Sequence, residues 1–105
     1  MNTKLWVDDI RNPPDDTYDI ARTYGDAIIK LQATEYTDIY LDHDLADFTD
    51  VRERTGYDVV MWLVEQKVMH GFTVPLRYHY LTANPVGRKN MKELVARYLL
   101  TDEQE

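Results

Sequence analysis

Two short apolar runs, Leu5-Trp6-Val7 and Ile39-Tyr40-Leu41, each end in acids: Asp8-Asp9 after the first, Asp42-His43-Asp44 after the second. Carboxylates gathered in this way are the raw material of an oxygen-donor cation site. Runs of Leu, β-branched and aromatic residues closed by a turn read as strands buried in an α/β sheet. Ligands of such sheets bind in the crevice outside the carboxyl ends of the strands. If the two runs are adjacent parallel strands, their acids converge, and the charge then needs a cation, a raised pKa or good solvation. A hard divalent ion, Mg²⁺ or Mn²⁺, prefers oxygen ligands. Asp8, Asp9 and Asp42 are therefore the expected metal ligands. Asp42, His43 and Asp44 are the candidates for catalysis, with His43 or Asp44 as general base. Asp44 could instead bond backbone amides of its own turn, and His43 could bond a backbone carbonyl.

A second group of residues suits a phosphate. Arg11 follows the acid pair by two positions, where it either neutralises Asp8 or Asp9 or clamps a phosphate with its planar fork. Asn84-Pro85 combines a good helix N-cap with a residue favoured in the first helical turn. Thr82 brings a hydroxyl close by, and Gly87 allows close backbone approach. With the free N–H groups of a helix N-terminus, Arg11, Thr82, Asn84 and Gly87 make a candidate anion site. His79 reads as a sheet residue, His70 as a cation at a helix C-terminus, and Trp6 and Trp62 as core aromatics.

The elements that must position these groups follow from pattern. Lys4 to Asp8 is expected as the first strand, and Pro13-Pro14 with Asp15-Asp16 make residues 9–18 a loop. Asp19 to Tyr24 reads as a weaker strand, Asp26 to Leu31 as a short helix with Ala27, Ile28 and Leu31 on one face, and Thr37 to Asp42 as the third strand. Leu45 to Thr55 has no clear period and reads as a loop beside the acids. Gly56 to His70 is expected to be a helix with Val60, Leu63, Val64 and Val68 buried, stopped by Gly71. Leu76 to Thr82 is a fourth strand, polar enough for a sheet edge. Met91, Leu94, Val95, Tyr98 and Leu99 form the stripe of a closing helix. The order β-β-α-β-α-β-α implies a small, mostly parallel α/β sheet with helices on its faces. The third strand would lie beside the first, with the fourth outside it.

The chain has 105 residues, consistent with one domain over 1–105. Its formal net charge is −7, which argues against a general nucleic-acid-binding surface. There is no cysteine, which excludes thiolate chemistry and suits a reducing cytoplasm. Met1 leads into polar residues, so no secretion signal is expected. No apolar run approaches the roughly 20 residues that span a bilayer, so no membrane association is expected.

Paired acids after the first strand, Asp42 ending the third and Leu81-Thr82-Ala83 ending the fourth resemble a response-regulator receiver domain. A narrower likeness covers nearly the whole chain. Asp8-Asp9-Ile10-Arg11 with Pro13, Leu41-Asp42-His43-Asp44-Leu45, Thr55-Gly56-Tyr57-Asp58, Asn84-Pro85-Val86-Gly87 and Met91 resemble the cyclic-phosphate processing receiver domains. This implies a four-stranded, receiver-like three-layer α/β sandwich that lacks the receiver's last strand and helix, and with them its phosphate-contacting lysine. It also implies a nucleotide or cyclic-phosphate ligand. The sequence departs from common members in carrying Leu81-Thr82, where a His-Ser or His-Thr pair would stand.

Three function classes follow. The first is a metal site that binds or processes a phosphate or cyclic phosphate of a nucleotide or RNA end, with a metal-dependent phosphoesterase-type activity if it is an enzyme. The second is a signalling receiver that takes a phosphoryl group on Asp42. The third is a non-catalytic nucleotide- or protein-binding module, such as a phage or mobile element encodes. A homodimer through the fourth strand's edge is a further expectation. So is a loop 45–55 that orders on a phosphate ligand, with Arg52 or Arg54 turning inward.

Overall fold

A computed structural model describes residues 2–47 and 54–99. In chain order the elements are β1 (Lys4–Val7), β2 (Tyr18–Ala21), α1 (Tyr24–Ala33), β3 (Asp38–Leu41), β4 (Asp44–Asp47), β5 (Arg54–Thr55), α2 (Gly56–His70), β6 (Arg77–Tyr80) and α3 (Pro85–Tyr98). The main sheet runs β2-β1-β3-β6 with every pair parallel. This is the expected receiver-like, parallel α/β sheet with its first and third strands side by side, but the three helices, expected on both faces, pack against one.

Strand alternation divides the sheet into two unlike faces. Leu5, Val7, Ala21, Ile39 and Leu41 point into one core with Ala27 and Leu31 of α1, Val59, Val60 and Leu63 of α2, and Met91 and Val95 of α3. All three helices therefore share that core. The opposite face carries a row of rings, one from each strand. Trp6 stacks on Tyr40 at 5.6 Å, Tyr40 stacks on His79 at 4.2 Å, and Tyr18 meets both Trp6 and Tyr40 edge-on. The rings cover one another, and Trp6 is only 8% exposed. Residues 8–12 complete the cover: the Arg11 carbonyl accepts from Trp6 Nε1 at 3.0 Å.

Helix ends are set by their caps. Thr55 and Asp58 form a reciprocal capping box at the start of α2, and Gly71 ends the helix in the left-handed region at φ 65°. These bounds are the expected ones. The second strand, by contrast, stops at Ala21 and not Tyr24. The Thr23 hydroxyl accepts from Asp26 N and begins α1 at Tyr24, so this helix is longer than the expected 26–31. Within α2 the buried stripe is Gly56, Val59, Val60 and Leu63, whereas Val68 is 63% exposed. At about 100° per residue, Val68 lies roughly 130° from the centre of that stripe. Tyr98, expected on the buried stripe of α3, is 41% exposed, while Leu99 is buried.

The ends of the expected loop 45–55 pair as the antiparallel strands β4 and β5, with Asp44 opposite Thr55 and Asp47 opposite Arg54. Residues 48–53, including Arg52, lie outside the described residues. The Arg54 guanidinium sits 5.0 Å from the centre of the Tyr24 ring.

Asp38 anchors β3 to β6. It receives a two-pronged bond from Arg77 (2.9 and 2.8 Å), and the His79 ring lies 3.0 Å away. The Arg77 hydrogen bonds hold this buried carboxyl well below the usual carboxylate range, with His79 and Thr37 adding to the effect against burial. A depressed carboxylate pKa means stability that is present above the unfolded value and lost as pH falls through the folded one. Asp38→Ala should therefore cost about 1–2 kcal/mol at pH 7, modest because Arg77 is largely exposed, and progressively less below about pH 4. Denaturant midpoints at pH 7 and pH 3 measure this. Equal losses at both would rule out an ionic origin.

The outer edge of β6 carries a device that its own residues do not reveal. Arg88 Nη2 on α3 donates to the carbonyls of Tyr80 and Thr82 at 3.2 Å each. A second copy pairing along that edge would compete with this guanidinium.

Candidate functional site

The acidic cluster is a product of register. Val7 pairs with Leu41, and one step further Asp42 N donates to the Val7 carbonyl at 2.9 Å. That bond puts Asp8 and Asp42 next to each other at the carboxyl ends of β1 and β3. One oxygen from each of Asp8, Asp9 and Asp42 lies within 4.8 Å of the others. Asp8 is 1% exposed and Asp42 8%. Burial pushes the Asp42 carboxyl up, the charge of Asp8 adds to this, and Arg11 opposes it.

Each buried acid is held. Asp8 Oδ1 accepts from the amides of Ile10 and Arg11, both at 2.9 Å, which turns the chain sharply after β1. Asp8 Oδ2 takes Arg11 Nε at 2.8 Å. Asp42 Oδ1 accepts from His43 N at 2.9 Å and lies 3.5 Å from Arg11 Nη2. Of the two roles open to Arg11, the structure displays charge neutralisation, shared between Asp8 and Asp42.

Arg22, at the end of β2, has no place in the sequence motifs. Its Nη1 donates to the carbonyls of Asp8 (3.1 Å) and Arg11 (2.7 Å), and its Nη2 to Asn12 Oδ1 (2.6 Å). It clasps the turn that carries Asp9 and Arg11. Only the parallel pairing of β2 with β1 brings it there, so no local spacing could have signalled it.

His43 and Asp44 stand apart from the three carboxylates. His43 Nδ1 lies 2.9 Å from Asp44 Oδ1, which makes the two a pair of their own. The imidazole rests on the first turn of α3 so closely that a Cβ on Gly87 would be 2.6 Å from its ring carbons. It also lines a cavity of about 610 Å³ with Tyr57, Trp62 and Asn90. At the start of α2, a Cβ on Gly56 would stand 2.0 Å from the Asp42 carbonyl oxygen. Both glycines let a helix N-terminus approach the β3 end.

Beyond β6, Leu81 N donates to the Leu41 carbonyl at 2.8 Å, carrying the strand order into the site. Thr82 is 3% exposed and accepts from Asn84 N at 3.0 Å. Asn84 Oδ1 accepts from the amides of Val86 and Gly87 at 3.1 Å each, the capping expected of it. Thr82, Asn84 and Gly87 thus form one unit at the start of α3, and its contact with the acidic end of β3 runs through His43.

A parallel α/β sheet with acids closing β1 and β3, and a Thr-Ala pair after the last strand, defines a receiver-like domain. The family model described as Cyclic-phosphate processing Receiver domain matches residues 3–97, and the chain belongs to that family. No curated protein and no solved structure matches it. Among the described residues, no helix is long and apolar enough to cross a membrane.

Proposed function

We propose that the protein binds a divalent ion, Mg²⁺ or Mn²⁺, at Asp8, Asp9 and Asp42, and there binds or processes a phosphate or cyclic phosphate of a nucleotide or RNA end, in a cytoplasmic setting. The observation that carries this is the convergence of three carboxylates within 4.8 Å, two of them buried. The donor set fits the ion, since it is all hard oxygen and carries negative charge that, among the described residues, the half-exposed Arg11 offsets in part. When bound, the ion would stabilise charge developing on phosphorus and activate water.

The chain's own residues have separate tasks in this scheme. Asp8 is kept rigid by its two amide bonds and presents Oδ2 to the site. Arg11 has the fork that a phosphate accepts in bidentate fashion. Thr82, Asn84 and Gly87 shape the helix N-terminus, where backbone N–H groups favour an anion. His43, oriented by Asp44, is the candidate general base. In the class of binding modules the same groups would hold the ligand without turnover, and the family's description favours a cyclic phosphate in either case.

The test uses purified protein with Mg²⁺ and a panel of 2′,3′- and 3′,5′-cyclic nucleotides, read by chromatography for turnover and by calorimetry for binding. We expect at least one to bind more tightly with the ion than without it. No turnover and no ion-dependent binding across the panel would end this reading. Separately, Mn²⁺ should broaden amide signals of residues 8, 9 and 42 first, and broadening spread evenly over all acids would mean no defined site.

A further inference from the structure

The Arg11 guanidinium bridges the two buried carboxylates, with Nε 2.8 Å from Asp8 Oδ2 and Nη2 3.5 Å from Asp42 Oδ1. Asp8 Oδ1 is already engaged by two backbone amides, so Oδ2 is the oxygen that Asp8 has left to offer, and Arg11 holds it. We propose that Arg11 is the resident counter-cation of this cluster and competes with the divalent ion, so that loading the ion displaces its side chain.

The surroundings favour movement of the side chain alone. The turn of residues 8–12 is fastened at several points: two amides to Asp8, the Arg11 carbonyl to Trp6 Nε1, and Arg22 to two backbone carbonyls and the Asn12 side chain. The guanidinium is held by one short bond to Asp8 and one long contact to Asp42, and the side chain is 53% exposed. Swinging outward, it meets water at little cost, whereas an ion arriving beside a fixed guanidinium would meet like charge. The freed fork is then available to the phosphate of the proposed reaction. Arg11 thereby acts as a positioning residue that sets ion affinity, and Arg22 as the clasp that keeps the turn in place during the exchange.

This inference rests on the carboxylates being an ion site, and its sign is unusual: removing a residue of the site should strengthen binding. Mn²⁺ affinity is measured by electron paramagnetic resonance for the wild type, Arg11→Ala, Arg11→Gln and Asp42→Asn, with melting temperatures recorded without metal. Removal of a competing cation should tighten Mn²⁺ binding by about tenfold in both Arg11 variants, the range of a modest coupling between sites. Both should melt below the wild type without metal, and regain the difference when Mn²⁺ is added. Arg11→Gln keeps most of the aliphatic stem and a polar, uncharged end, so it separates loss of charge from loss of packing. Equal or weaker binding in both Arg11 variants, with the wild type binding and Asp42→Asn not, would overturn the competition and leave the ion site standing. Absence of Mn²⁺ binding in all four proteins would remove the site itself, and the inference with it.

Discussion

Alanine at Gly56 should destabilise the protein by about 3 kcal/mol, among the larger effects of adding one methyl group to a packed site. Its Cβ would stand 2.0 Å from the Asp42 carbonyl oxygen, 3.0 Å from that carbonyl carbon and 3.3 Å from His43 Cα. All three are backbone atoms, so no rotamer change relieves the overlap. The first turn of α2 would have to lift away, and it is bound on both sides. Gly56 N donates to the His43 carbonyl at 2.7 Å, and the Thr55–Asp58 capping box fixes the same turn. Gly87→Ala is the informative control. The nearest atoms to its Cβ would all belong to the His43 side chain, two ring carbons at 2.6 Å and Cβ at 3.1 Å, and the ring can turn aside. We expect a loss of about 1 kcal/mol there, with the imidazole displaced from Asp44. For a domain of this size the two losses correspond to drops in melting temperature of roughly 15 °C and 5 °C. A smaller loss for Gly56→Ala than for Gly87→Ala would refute the close approach of α2 to the β3 end.

Asp42→Asn should abolish ion binding and yet leave the metal-free fold as stable or more so, by up to about 1 kcal/mol. Burial and the neighbouring Asp8 charge raise the Asp42 pKa. A carboxyl raised in the folded state costs stability when ionised. The cost is absent below its unfolded value and appears as pH rises through the folded one. Asparagine removes the charge and keeps an oxygen that can accept from His43 N, the bond seen at 2.9 Å. What it gives up is the contact with Arg11, long at 3.5 Å. The advantage of the variant should therefore be largest near pH 7 and shrink toward pH 4. Melting curves of metal-free wild type and variant at both pH values measure it, and a variant that melts lower at pH 7 contradicts the sign.

Much of this architecture was legible in the residues alone because short-range chemistry settled it. The bounds of α2 follow from Gly56 and Gly71, and the start of α3 from Asn84-Pro85. The order of strands follows from apolar runs separated by helical patterns, and the meeting of Asp8, Asp9 and Asp42 from two such runs lying parallel. The start of α1 also has a short-range signal, the cap formed by Thr23 and Asp26, although the apolar pattern before it favours a strand through Tyr24.

Other features depend on groups far apart in the chain, and no local period encodes them. Arg22 reaches Arg11 only because β2 lies parallel to β1, and Asp38 meets Arg77 and His79 only through the β3–β6 register. The pairing of β4 with β5 rests on backbone groups, which leave no side-chain signature. Arg11 was open to two roles in the sequence, and its partners became definite once Asp8 and Asp42 stood side by side. The same holds for Gly56, whose need for a bare Cα arises from a carbonyl fourteen residues earlier in the chain. Caps and hydrophobic periods act over a few residues, so composition and spacing determine them. Charge pairing and close approach act across strands, and there the register of the sheet decides.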